Sequence, residues 1–214
     1  MATPTFLGQA SAEGTTVSSL SVAFTIPAGT NYIEVDTDNS DNGMTVTGVT
    51  YNSVALTLIP NASHAYGGQR SYMWYLLSPT IDGTPHNAVM TLSGVENYVS
   101  MAIRAYSTVN QSVPHGTVVK TANNSTSISV DVASATGELV VDLVHVYNVT
   151  PGVGAGQTQR SAKSGTRARL GTSDEPGAAT VTMSWTTNQA AILIAVPLKP
   201  TADAPPSGKF LQMF

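Results

Sequence analysis

The chain has no cysteine among its 214 residues, so neither a disulfide framework nor a thiolate metal site can form. Its stability must come from packing, sheet hydrogen bonds or association. Charge is scarce as well. Asp, Glu, Lys and Arg supply 10% of the residues, against roughly a quarter in an ordinary globular domain. Such a chain cannot furnish the i,i+4 ion pairs and solvated faces on which surface helices rely. A formal charge of -4 works against a general nucleic-acid binder, which needs a broad basic face. Long apolar runs are missing too: the longest, Ala190 to Val196, has the length of a strand, so no membrane partner is expected. The opening MATPTFLGQASAEG has neither a basic stretch nor a continuous apolar one. No secretion signal is therefore expected, and the chain should fold in the cytoplasm where it is made.

What the sequence has in plenty is Thr, Val, Ser, Gly and Pro, arranged with a period of two. Leu20, Val22, Phe24 and Ile26 alternate with small or polar residues, as a half-buried strand requires. Ile33 and Val35 begin a second strand, with Glu34 and Asp36 directed outward, and Asp38 to Gly43 reads as a loop. Two β-branched arms around Asn52-Ser53 predict a tight hairpin. Pro60 to Gln69 reads as a surface loop. Ser71 to Leu77 is apolar on both faces and so reads as a covered strand. Further strands are expected at 88–92, 98–106, 117–120, 127–132, 138–147, 180–186 and 190–196, with an aperiodic polar stretch from Pro151 to Ala179. A chain of this length can remain one domain if it is all-β. The expectation is an all-β fold: a two-sheet antiparallel β-sandwich, jelly-roll-like, over residues 1–198, with an extended C-terminal arm over 199–214. The arm ends in Phe210, Leu211, Met213 and Phe214. Exposure of the two phenylalanines would forfeit about 1.5–3 kcal/mol each, so the arm is expected to pack on a neighbouring subunit or back on its own sandwich.

Chemistry is harder to find. The four histidines, 64, 86, 115 and 145, lack any metal-ligand spacing. No GxSxG elbow occurs, and Glu34, Glu96, Glu138 and Asp142 qualify for a glycosidase pair only by being carboxylates. No catalytic residue is assigned. No cofactor is implied; Asp36, Asp38 and Asp41 are a weak calcium candidate, where oxygen ligands are dense but EF-hand spacing is absent, and a plain Asx-rich turn is the default reading. Arg160, Lys163, Arg167 and Arg169 concentrate positive charge in what reads as an extended surface loop, which could dock on an acidic partner or simply be solvated.

Several segments are similar to a known pattern. Gly48 to Thr57 resembles a recurrent GVTYNGxxLT hairpin, with Ser53 where the pattern has Gly. Met73 to Pro79, Val89 to Gly94, Gln157 to Arg160, Val181 to Thr186 and Val196 to Pro200 follow in the matching order. Together they resemble a family of β-sandwich domains of tailed-phage structural proteins and bacterial surface proteins, over roughly residues 5–200. The resemblance implies a virion protein that decorates the outside of a capsid. Its partners would be the major capsid protein and neighbouring copies of itself, in a homo-oligomer such as a trimer, with no sequence-specific nucleic-acid contact. A tail or neck accessory protein, or a carbohydrate-binding or adhesion module, is the alternative.

Overall fold

The computed structural model describes residues 2–163 and 167–202. They form thirteen strands, with no helix among the described residues. The first seven are β1 (Thr5–Phe24), β2 (Tyr32–Ser40), β3 (Val46–Tyr51), β4 (Val54–Ala55), β5 (Thr57–Tyr66), β6 (Gln69–Leu77) and β7 (His86–Ser107). The other six are β8 (Val119–Ala133), β9 (Leu139–Tyr147), β10 (Gly152–Val153), β11 (Thr158–Ala162), β12 (Ala168–Pro176) and β13 (Thr180–Leu198). The division is also the division into sheets. Strands β1–β7 make one antiparallel sheet and β8–β13 the other, packed face to face.

The two halves repeat one plan. In the first, β1 pairs along the whole of β7; on its other side β7 meets β3 with its early residues and β2 with its late ones. Strand β2 then pairs with β6, and β6 with β5. In the second half β8 lines β13, which meets β10 early and β9 late; β9 pairs with β12, and β12 with β11. Only β4 has no counterpart.

Each long strand changes environment at its middle. The early part of β7 alternates, burying Ala88, Met90 and Leu92, whereas everything from Val99 to Tyr106 is buried. Strand β13 does the same, with Val181, Met183 and Trp185 buried early and Ala191 to Leu198 buried throughout. A register shift marks each change. Val17 lies opposite Glu96 but Ser19 opposite Thr91, and Thr186 lies opposite Ser127 but Gln189 opposite Ser125. Extra residues of this kind bend a strand, so each sheet folds over on itself and encloses a core of its own. Ile33, Val35 and Ile103 share the first with Val49, Met90 and Leu92. Val140, Val144 and Leu193 share the second with Ile128, Met183 and Trp185. A third core, with Tyr32, Met73 and Tyr106 against Leu143, Leu170, Ile192 and Ile194, forms the seam between the halves.

This seam corrects several expectations. Glu34 and Asp36 do not face solvent, because the second half covers their face of β2, and neither does Asp142, which points into the core of the second half beside Trp185; all three are fully buried. Asp38 to Ser40 belong to β2 and most of Pro60 to Gln69 to β5, not to loops. The aperiodic stretch from Pro151 to Ala179 contains β10, β11 and β12. The last is buried over most of its length, and a strand covered on both sides has no alternation to display. The hairpin at Asn52-Ser53 forms as expected. Both residues have positive φ, 48° and 64°, which is the type I′ geometry that fits the twist of the arms.

Candidate functional site

Polar chemistry gathers in the seam. Side chains two apart on a strand share a face, so β2 sends Tyr32, Glu34, Asp36 and Asp38 into it and β7 sends Ser100 and Arg104. Arg104 lies between Glu34 and Asp36, donating to the first and standing 2.8 Å from the second, with all three side chains sealed from solvent. Its other terminal nitrogen donates across the seam to the Ser173 carbonyl at 3.0 Å. One guanidinium cannot offset two sealed carboxylates. Burial holds the Asp36 carboxyl well above the usual carboxylate range, against the pull of Arg104. Burial opposes the Arg104 charge, yet Asp36, Tyr106 and Glu34 keep it firmly protonated.

The network extends in two directions. Toward the surface, the Tyr32 hydroxyl donates to Glu34 at 3.2 Å and meets His115 Nε2 at 2.9 Å. Burial lowers His115 to about 4. Toward the second half, Ser173 donates through its amide at 2.9 Å and its hydroxyl at 2.7 Å to Asp142, which also accepts from Trp185 Nε1 at 2.7 Å. Burial nonetheless pushes Asp142 up to about 7. Asp38 is raised to about 7 by the same cause, although the Ser100 amide and hydroxyl donate to it. His145, on the seam face of β9, is fully buried, and neither ring nitrogen has a hydrogen-bond partner among the described residues; burial drives it down to about 3.

No protein-family model, curated protein or solved structure matches the chain.

Asp36 and Asp38 look into the seam, while Asp41 lies beyond the end of β2 and pairs with Arg167 at 3.2 Å. The three carboxylates do not converge, and no group of three or more His, Asp or Glu side chains suited to a metal exists among the described residues. The basic stretch is not one loop but β11, the start of β12 and their connection. Arg160 grips Asp174 with two nitrogens, at 2.7 and 2.8 Å, and lies 4.2 Å over the Phe6 ring. Arg167 leans over Tyr98 and Tyr147, and Arg169 donates to Thr150 Oγ1 at 2.9 Å. Lys163 is half-buried, and its amide donates to the Leu170 carbonyl at 2.8 Å. Phe210, Leu211, Met213 and Phe214 lie outside the described residues.

The carboxylates weighed for a glycosidase pair also have structural partners. Glu138 accepts from Ser134 Oγ at 3.0 Å and from the Ala135 amide at 3.1 Å, closing the turn before β9. Glu96 sits buried at the bend of β7 and accepts from the Asn42 and Asn97 amides, Asn39 Nδ2 and the Met44 amide, at 2.8 to 3.2 Å. Four donors on one carboxylate fix the segment 41–45, which walls one end of the seam. At that end a cleft of about 360 Å3 opens between the halves, lined by Ser40, Asp41 and the turn Tyr66 to Gln69 from the first, and Tyr147 and Ala190 from the second. Sequence reading missed the cleft, because its walls lie far apart in the chain and are brought together only by the seam.

Proposed function

We propose that this chain is a non-catalytic structural protein of a virus particle, one that binds the outer surface of a phage capsid and stabilises it through contacts between subunits. The observation that carries this reading is the internal engagement of the ionisable groups. Glu34, Asp36, Arg104 and Asp142 are sealed in the seam or just behind it, and Glu96 and Glu138 hold turns. What the chain offers a partner is sheet surface and loops. The hairpin and strand motifs that resemble phage β-sandwich domains point to the same role. The major capsid protein and further copies of the chain are the proposed partners. Binding that favours the folded, assembled state stabilises a particle by mass action, and many identical copies are expected to follow the particle symmetry. A place on the tail or neck would use the same surfaces.

Co-sedimentation tests the assignment. The purified full chain, mixed with phage capsids stripped of decoration, should bind saturably and raise the temperature at which the shells open. A variant ending at residue 202 keeps every described strand and should lose most of that binding if the apolar terminus is the contact. Failure of the full chain to bind any capsid or tail preparation would refute the assignment. Full binding by the shortened chain would remove the terminus from it.

A further inference from the structure

We propose that the cleft at the end of the seam is a binding site for a neutral saccharide, one sugar ring seated between the two halves. Clefts between repeated or domain-like units are a common place for small-molecule sites, and this one lies near the lower limit of their usual size. Its inner wall carries polar atoms with nothing to do. Gln69 is 5% exposed and Ser40 1% exposed, yet Gln69 Oε1 and Ser40 Oγ have no hydrogen-bond partner among the described residues. A buried polar atom left unpaired costs about 1–3 kcal/mol; both oxygens lie just beneath the wall with no surface open to solvent, so a ligand hydroxyl meets them after a change of side-chain rotamer and then recovers part of that cost.

The rest of the lining completes the chemistry. The Tyr66 ring stands exposed at the mouth and Tyr147 is half-buried opposite, offering aromatic surface to the C–H face of a sugar. Between them, Gly67 and Gly68 form the two-residue turn of the β5–β6 hairpin and put no side chain over the opening. Gly67 takes a φ of 59° that glycine adopts without strain. Asp41 brings a planar acceptor that can take two vicinal hydroxyls. Its charge is already balanced by Arg167 at 3.2 Å, so the rim favours neither an anion nor a cation. The site is also preorganised, since Glu96 holds the segment that carries Asp41. Unpaired acceptors just beneath the wall, aromatic rings at the mouth and a neutral rim suit a polyhydroxylated ring better than an ionic or wholly apolar ligand. This inference does not depend on where the chain is mounted.

Titration of the isotope-labelled full chain with free glucose, galactose and N-acetylglucosamine, followed by amide NMR, tests it. At least one sugar should shift the amides of 40–41, 66–69, 147 and 190 with a Kd in the millimolar range, which is about 4 kcal/mol. Tyr66→Ala, at an exposed turn, should weaken that binding about tenfold or more. Ser40→Ala removes a hydroxyl that makes no internal hydrogen bond, so it should weaken binding severalfold without lowering the melting temperature. Cleft amides that stay still with all three sugars would overturn the proposal, and so would a Kd unchanged by both substitutions.

Discussion

Replacing Arg104 by Met should destabilise the chain by about 3–5 kcal/mol, because it leaves Glu34 and Asp36 sealed in the seam without a cation. The Ser173 carbonyl loses its donor across the seam in the same step. For a chain of this size the loss should lower the melting temperature by roughly 10 °C or more. Removing the whole cluster should do the opposite. A triple variant, Glu34→Met, Asp36→Leu and Arg104→Met, fills similar volume with apolar groups and should regain most of the lost stability, since buried ion pairs seldom outperform a well-packed apolar core. Urea melts of the three proteins give the answer. An Arg104→Met chain as stable as the parent would mean that water reaches the carboxyls and that the seam is not sealed.

The second large effect concerns His145. Its ring is buried without a partner on β9, so His145→Leu should raise stability at neutral pH by about 1–3 kcal/mol. The gain should widen in acid. Burial places the folded pKa of His145 at about 3, below the ordinary value of 6.5, so the unfolded chain takes up the proton first. The histidine's contribution is therefore complete above about pH 6.5 and is lost as the pH falls toward 3. The variant escapes that loss, and its advantage should grow by an amount on the order of 4–5 kcal/mol near pH 3.

Asp38 and Asp142 work in the reverse sense. Their folded values of about 7 lie above the ordinary 3.8, so their contribution is complete below about pH 4 and is lost as the pH rises through 7. Asp36, which burial also raises, acts in the same sense, whereas His145 and His115 oppose these carboxyls, so in the parent chain stability should fall only gently as the pH rises from about 4 to 6.5. With His145 removed, stability should climb visibly as the pH falls across that interval. Denaturant midpoints measured at several pH values distinguish the two profiles. Identical slopes would show that the imidazole is not held neutral in the seam.

The strands were readable in the sequence wherever one face meets water. Val181, Met183 and Trp185 alternate with exposed or half-buried neighbours, and the first part of β7 does likewise. Asn52-Ser53 announced its hairpin because few dipeptides accept two positive φ values. Alternation says which residues share a face; it does not say whether a second sheet covers that face. Alternation therefore directs Glu34 and Asp36 into water although the other half of the chain lies over them, and Asp142 likewise although it points into the core of its own half. The continuity of β7 through Gly94-Val95-Glu96, and of β13 through Thr187-Asn188, was hidden for a related reason. A bend taken at a bulge needs polar or small residues locally, and these look like the end of a strand. The repeat of the plan was hidden too. YIEVDTDNS in β2 and LVVDLVHVY in β9 occupy equivalent places with different chemistry, polar in one half and apolar in the other. The engagement of Arg160 with Asp174 depends on the pairing of β11 with β12, which no spacing in the sequence announces. The cleft followed the same pattern. Tyr66, Gln69 and Tyr147 each read as ordinary strand or loop residues until the seam brought their segments together.

The seam joins two repeated half-sandwiches into one unit. Scanning calorimetry of the full chain tests that most directly. One transition is expected, with calorimetric and van't Hoff enthalpies in agreement, and Arg104→Met should shift all of it downward together. Two resolved transitions, only one of them moved by the substitution, would show that the halves melt independently and that the polar seam does not hold them.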